Sequence, residues 1–595
     1  MELRRHRSEL TRRVSVLTRL AQALLLLIAV GYWSVQIASG AHYRQLADHN
    51  RLRKLDLEPP RGQILDRRGK PLVENIPSYT LYLDRSRMRD RDASLRFAGE
   101  VLDISRRELN EALESHRRTP KFKPVPLAPQ LSLEELSRFA VHGLEHPEFE
   151  IRDDQLRLYR YAHLTAHVLG YLGEVSQDQL QSGAGGFEAG DVVGKKGVER
   201  RYEENLRGRS GEQVVVVDSR GRTTAELNRE RATAGQTLRL TLDLSLQQEA
   251  ARLLHDKVGS IVALDPRTGA VLALASAPSF DPNRFSRGLS AEDWRELVEN
   301  PHRPLQNRAV QNTYPPGSVY KIVMAAAALE EKAVEPNHTV FCRGFSRIDN
   351  HRYRCWKAAG HGWVDLKKAL KYSCNVYFHQ LGQALDIDTI ARYSRLFGLG
   401  SPTGIDLDGE KRGLVPDRAW SQQRRRQPWY PGETISVATG QGPLLVTPLQ
   451  IARATAAVAN GGALIRPRLL GDREVERQEM GLAPATLEHL QSALLATVGD
   501  EDGTGRAASV AGLEIAGKTG TAQVVRQATW TKNEDLAAQN RDHAWFASYA
   551  PADNPRLVVV VFVEHGGGGS TTAAPLAKAM YEKYFAIDLA HHHAG

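Results

Sequence analysis

Ser318 and Lys321 stand in Tyr314-Pro-Pro-Gly-Ser-Val-Tyr-Lys321, ahead of the apolar run Ile322-Val-Met-Ala-Ala-Ala-Ala-Leu329. Residues i and i+3 share one face of a helix, so the amine lies one turn from the hydroxyl. In an apolar setting desolvation disfavours the ammonium form, and a neutral amine can take the serine proton and leave an activated nucleophile. Two further polar groups follow in the chain: Ser373-Cys374-Asn375, and Lys518-Thr519-Gly520 with Thr521 next. Each has a bland reading. An N-cap serine with a lysine stem laid along the core explains the first, and polar turns explain the other two. Their joint order is what points to chemistry.

The elements needed to position these groups are readable. Pro315, Pro316 and Gly317 end any preceding element, and Val319 to Leu329 is Ala-rich and apolar, which predicts a buried helix with Ser318 at its N-terminus. Leu513 to Ala516 alternates toward Gly517, while 544–549 and Leu557-Val-Val-Val-Val-Phe-Val563 read as strands, the second continuous enough to be buried. Lys518 then opens the accessible edge of a sheet. An extended peptide can add itself to such an edge, with Gly517 and Gly520 permitting close backbone approach and Lys518 and Thr519 meeting a carboxylate. Ser260 to Leu264 and Ala270 to Ala275 read as a hairpin through Asp265-Pro-Arg-Thr-Gly269, and Gln236 to Asp243 as the opening of this domain.

The chain has 595 residues, 41% hydrophobic and 25% charged, so it exceeds one core and is expected to hold at least two domains. Its formal net charge of +9 comes without a basic stripe interleaved with aromatics; Arg424-Arg-Arg426 reads as a solvated loop, and no nucleic-acid partner is expected. Arg4, Arg5, Arg7, Arg12, Arg13 and Arg19 precede Leu20 to Ala38, which is apolar apart from Gln22, Ser34 and Gln36. That is about the length that spans a bilayer, and the charge places the first residues in the cytoplasm and the rest outside it. A cleaved signal peptide is the alternative, encouraged by Ala38-Ser-Gly40, although its apolar region is usually shorter.

After the anchor, Tyr43 to Asn50 reads as a short helix or stalk. Arg61 to Lys70 has the shape of a strand and a turn carrying Asp and Gly, with a return strand through Tyr79 to Leu83. Helices are predicted at 91–102, 105–115 and 132–141, and a glycine-bounded helix at 194–208 leads into a strand at 212–217. The glycines and lysines of that segment do not have the spacing of a phosphate loop.

The three polar groups together resemble the signature of penicillin-binding proteins and class A β-lactamases. The whole chain is similar to a class B penicillin-binding protein, a monofunctional peptidoglycan D,D-transpeptidase. Arg61-Gly62, Asp66-Arg67 and Gly69, the segment 194–208, and Gly440-Gln-Gly442 with Thr447-Pro-Leu-Gln450 resemble that family's non-catalytic landmarks. The stretch Arg352 to Lys357 with Gly360-His361-Gly362 resembles the elongation type, penicillin-binding protein 2. Asn375 departs from the Asp of many elongation-type members and matches the division type, which stays open as the alternative.

The resemblance implies an α+β protein: an antiparallel sheet flanked by helices as the penicillin-binding catalytic domain, on an elongated α+β pedestal, with one transmembrane helix. The implied boundaries are a cytoplasmic segment 1–13, an anchor 14–40, a dimerisation-like pedestal 41–235, a transpeptidase domain 236–586 and a tail 587–595. It implies an acyl-enzyme on Ser318, Lys321 as its base, Ser373 as a proton relay, Asn375 on the substrate's side of the cleft, and backbone N–H groups of Ser318 and Thr521 as the oxyanion hole. Stem peptides of peptidoglycan are the implied substrate, β-lactams the implied inhibitors, and a SEDS-family membrane glycosyltransferase with rod-shape proteins the implied partners, in the cytoplasmic membrane with the catalytic domain in the periplasm. No extra glutamate base for water is recognisable, which favours transfer over a carboxypeptidase or β-lactamase. A membrane-anchored β-lactam sensor would need a transmitting domain, and about a dozen residues precede the span.

All three cysteines fall in one interval, Cys342, Cys355 and Cys374, with His361 between them. Three thiolates and an imidazole make a closed set suited to structural Zn²⁺, though the spacing matches no standard finger. An extracytoplasmic location equally suits a Cys342–Cys355 disulfide with Cys374 free. As the middle residue of the second group, Cys374 can point into a metal site while Ser373 and Asn375 face the cleft; the resemblance adds that some elongation-type members bind metal here. His591-His-His593 is too short to read as a tag or a site.

Overall fold

The computed structural model describes residues 2–43, 52–117, 119, 124–183, 185–188, 190–217, 223–525 and 535–592. The predicted stalk past Tyr43 and the end of the histidine run lie outside them. A helix over Glu2–Trp33 continues as a wider turn over Ser34–Ala38, and Thr11–Ala38 is long and apolar enough to cross a membrane, none of it covered by protein.

The chain divides into two compact units. One, 1–61 with 207–235, carries an antiparallel three-stranded sheet of Leu52–Leu57, Gly211–Val217 and Thr223–Glu230. The other, 62–206 with 236–595, holds two larger sheets. In its N-terminal sheet Pro71–Leu83 pairs along its length with Phe149–Tyr159, and also with Ile64–Leu65 and Val125–Ala128. The tight return to Pro71 is held by Asp66, whose Oδ1 accepts from the N–H groups of Arg68 and Lys70, both at 2.8 Å. The helices appear at Arg91–Leu102, Arg106–Ser115 and Leu133–His142, the last two opened by Ser105–Glu108 and Ser132–Glu135 capping boxes. Leu238–Arg239, in the segment read as opening the catalytic domain, pairs in parallel with Ile64–Leu65 of the N-terminal sheet, while Thr241 Oγ1 of the same segment donates to Val271 O at 2.8 Å in the catalytic sheet.

The catalytic sheet is antiparallel throughout, in the order Val271–Ala277, Gly259–Leu264, Leu557–Val563, His543–Ala550, Ala516–Ala522. All of Leu557–Val563 is buried. Its alternate residues serve two cores: Val558, Val560 and Phe562 face the helix Pro448–Ala459, in the core that also holds Lys321–Glu330, while Leu557, Val559, Val561 and Val563 face the C-terminal helix Ala574–His592, in the core that also holds Leu244–Leu253. Strand periodicity of two produces that division, and coverage on both faces explains why the run is apolar without alternation. The C-terminal helix runs on past the 586 expected for the domain's end.

Candidate active site

A short 3₁₀ turn, Gly317–Tyr320, carries Ser318 into the helix Lys321–Glu330, of which Lys321 through Ala328 are buried. Alanines at 325–328 leave a slim helix that the neighbouring helices Ile387–Leu396 and Pro484–Gly499 approach closely. Gly317 has φ 54°, and a Cβ there would sit 2.5 Å from the Thr521 carbonyl oxygen, so a side chain is excluded twice over. Its N–H donates to the Gly440 carbonyl at 2.9 Å, and Gln441 Nε2 donates to Thr521 O at 3.3 Å. The glycine-rich landmark at 440–442 thus ties the serine turn to the Lys518–Thr521 strand.

That strand, Ala516–Ala522, is the free edge of the sheet, as expected from Gly517 and Lys518. A Cβ on Gly520 would meet Trp545 Cβ at 2.9 Å and Val319 Cγ1 at 3.0 Å, so the strand lies directly on the serine turn. Lys518 is fully buried, donating to Thr519 O at 3.0 Å; burial, and then the charge of Lys321, push its pKa well below the ordinary lysine value. Thr519 Oγ1 donates to Thr504 Oγ1 at 3.0 Å.

Lys321 Nζ is the point where the first and second groups meet. It donates to Ser373 O at 2.9 Å, Ser373 Oγ at 3.3 Å and Asn375 Oδ1 at 2.7 Å. Complete burial pushes its pKa down to about 8. No hydrogen bond among the described residues joins it to the half-buried Ser318 hydroxyl: the amine faces the Ser373 loop. Asn375 faces Lys321 through its oxygen, and its Nδ2 donates to Arg354 O at 3.3 Å. Ser373 is held at φ 53°, a left-handed conformation that costs a non-glycine residue about 1–3 kcal/mol. A neutral amine keeps two protons for the carbonyl-type oxygens of Ser373 and Asn375 and can turn its lone pair to the Ser373 hydroxyl. Such a group can accept and return a proton near neutral pH.

A second set of contacts was not expected from the sequence. Lys371 Nζ pairs with Asp500 Oδ2 at 2.8 Å and Asp502 Oδ1 at 2.7 Å, the Tyr372 hydroxyl donates to Asp502 Oδ2 at 2.6 Å, and Thr504 Oγ1 donates to Lys371 O at 2.9 Å. The loop after the helix Pro484–Gly499 therefore joins the residues before Ser373 to Thr519.

Cys342, Cys355, His361 and Cys374 converge, their ligating atoms all within 4.8 Å of one another, with the three cysteines free and buried. His361 Nδ1 lies 3.5 Å from both Cys342 Sγ and Cys355 Sγ. Bonds of about 2.3 Å to sulfur and 2.0–2.1 Å to nitrogen in a tetrahedron would separate N and S by about 3.5 Å, so the donor set fits zinc. Hydrogen bonds within the cluster pull the Cys355 thiol far below its usual range and push the Cys374 thiol above it, so the cluster itself stabilises one thiolate among its sulfurs. Cys374 is the N-cap of the helix Asn375–Ala384 but makes no capping hydrogen bond; its side chain is turned into this cluster.

Residues 259–582 match the penicillin-binding protein transpeptidase domain, and 56–240 the penicillin-binding protein dimerisation domain. The chain belongs to the class B penicillin-binding proteins. It is similar to the peptidoglycan D,D-transpeptidase MrdA of Haemophilus influenzae, 37% identical over 93% of this chain and 88% of that one, and to MrdA of Acinetobacter baumannii, 35% identical over 94% and 85%. Among solved structures it resembles penicillin-binding protein 2 of Helicobacter pylori in complex with MreC, with a TM-score of 0.82 and 28% identity over 90% of this chain and 99% of that one. It also resembles a chain from the structure titled "Structural coordination of polymerization and crosslinking by a peptidoglycan synthase complex", with a TM-score of 0.72 and 32% identity over 97% and 98%. Its function is that of an elongation-type peptidoglycan D,D-transpeptidase, a penicillin-binding acyltransferase on an α+β fold.

Proposed function

We propose that transfer runs through Ser318. Its Oγ attacks the carbonyl carbon between the two terminal D-alanines of a stem peptide, the C–N bond breaks, and the last D-alanine leaves as an amine carrying the proton taken from the serine. An amine of a neighbouring stem peptide then attacks the ester, forms the new amide and returns a proton to Ser318. Lys321, with its pKa near 8, is the base, and Ser373 relays the proton between it and the leaving or entering amine. The free edge strand orders the donor peptide, and a substrate carboxylate arriving beside Lys518 and Thr519 restores the charge that burial suppresses. Ser318 and Thr521 N–H groups stabilise the oxyanion.

The observation that supports this most is the convergence on Lys321 of groups 52 and 54 residues away in sequence. Incubation with a stem pentapeptide and an amine acceptor tests it. D-Alanine release with formation of the cross-linked amide is expected; release with only the hydrolysed tetrapeptide makes the chain a carboxypeptidase.

Cys342, Cys355, His361 and Cys374 would hold zinc in a closed structural site, fixing the wall that carries Ser373 and Asn375. The N-terminal helix is the single anchor, with the basic end inside and the catalytic domain in the periplasm. Two kinds of partner complete the proposal: a rod-shape protein, supported by the complex of the Helicobacter pylori relative with MreC, and a SEDS-family membrane glycosyltransferase, for which a similar chain in a complex of polymerization and crosslinking is the support.

A further inference from the structure

Next to the Ser373 wall the chain forms two small hairpins. Val340–Cys342 pairs with Gly362–Val364, and Phe345–Ile348 with His351–Arg354. In the first pair the strand period turns Val340, Cys342 and Val364 inward and leaves Phe341 and Trp363, direct cross-strand partners, facing outward. Phe341 is 49% and Trp363 65% exposed, their rings edge-to-face at 5.3 Å. Trp356 is also 54% exposed, yet it is fixed: its Nε1 donates to Tyr372 O at 2.9 Å, one residue before Ser373. Phe341 and Trp363 thus form one exposed aromatic pair, and Trp356 stands beside His361, the neighbour of the Gly362–Val364 strand, with ring centroids 5.3 Å apart.

The charge of the same lobe says what binds. Between Phe341 and Lys371 there are eight arginines and lysines against two aspartates. Lys371 is neutralised by Asp500 and Asp502, whereas Arg343, Arg347, Lys357 and Lys368 are exposed and enter no ion pair among the described residues. Rigid aromatic faces suit the C–H faces of pyranose rings, and mobile cations suit carboxylates. The lobe is continuous with the cleft through Asn375 Nδ2, which donates to Arg354 O, and through Trp356.

We infer that this aromatic and cationic lobe binds the glycan strand of the substrate: sugar rings lie on Phe341, Trp363 and Trp356, and stem-peptide carboxylates meet Arg343 and Lys357. The inference rests on the transpeptidase reading and adds to it a site for the sugar.

Fluorescence polarisation of the full-length protein in detergent, with labelled un-cross-linked glycan strands bearing pentapeptides and with a neutral chitooligosaccharide, tests it, alongside penicillin acylation and Tm. The Phe341→Ala/Trp363→Ala double variant is expected to bind both glycans at least about tenfold more weakly, with acylation within twofold of wild type and an unchanged Tm. Arg343→Glu with Lys357→Glu is expected to weaken the pentapeptide strands at least about fivefold and leave the neutral sugar unaffected. Wild-type strand binding in the aromatic variant overturns the inference; that is also the outcome if the face serves a protein partner. Parallel loss of glycan binding and acylation overturns it too, since the effect then passes through the fold. Wild-type protein that takes no penicillin overturns the transpeptidase reading and this inference with it.

Discussion

The serine turn and the Ser373 loop both end at Lys321, but different forces hold them. Around Ser318 the support is burial and close backbone approach: a helix apolar from Ile322 onward, a central strand with every residue covered, and glycines at 317 and 520 where a Cβ would collide. Around Ser373 the support is polar and ionisable: a left-handed serine, a Cys₃His cluster, and a lysine shared between two exposed aspartates. The contrast teaches that one wall is set by the hydrophobic core, while the other is held by ionisable groups whose protonation the solution can change. On the proposed mechanism the nucleophile then sits on the apolar wall and the proton relay on the ionisable one.

Removing the group shared by both walls should have the largest effect. Lys321→Ala is expected to slow penicillin acylation by about 10²–10⁴-fold while the far-UV circular dichroism stays that of the wild type; an unchanged rate removes Lys321 from the role of base. Changing the charge on the Ser373 side alone comes next. The lysine must be neutral to act, so wild-type acylation should rise with pH and level off above about 8. Asn375→Asp puts a carboxylate where Oδ1 now sits 2.7 Å from Nζ, favours the ammonium, and should move that midpoint up by about 1–3 pH units, with a corresponding fall in rate at pH 7. A pH profile that does not move would uncouple the two groups.

A smaller effect separates the walls by their response to metal. Chelation, or Cys355→Ser, is expected to lower Tm and slow acylation by about tenfold as the Ser373 wall loosens. Gly317→Ala, which strains the other wall, should lower Tm by the same amount with or without chelator. Thiol counting on the denatured protein completes the comparison: three titratable thiols and bound zinc are expected, and one thiol without metal means a disulfide instead.

The sequence made the first wall easy to read and the second only partly so. Leu557 to Val563 could be little else than a buried strand, and the helices read at 91–102, 105–115 and 132–141 lie within a residue of Arg91–Leu102, Arg106–Ser115 and Leu133–His142. The three polar groups were legible because acyl transfer restricts residue type and spacing. The Cys/His grouping was legible as a cluster, not as a geometry, since zinc and disulfide use the same residues. The choice of Lys321 to bond Ser373 and Asn375, and not Ser318, is decided by tertiary packing that local spacing does not encode. Asp500, Asp502 and Thr504 lie in a loop with no periodicity, and Leu238–Arg239 is too short a strand to reveal which sheet it joins.

Intact-mass spectrometry after incubation with penicillin tests the nucleophile directly, on wild type and on Ser318→Ala. The wild type should gain the mass of one penicilloyl group, at Ser318 on peptide mapping, and keep it for minutes or longer, because no extra glutamate base for water is recognisable in the sequence; Ser318→Ala should gain nothing. An adduct that persists in Ser318→Ala, or a wild-type mass that returns to the free value within seconds, would contradict a stable Ser318 acyl-enzyme.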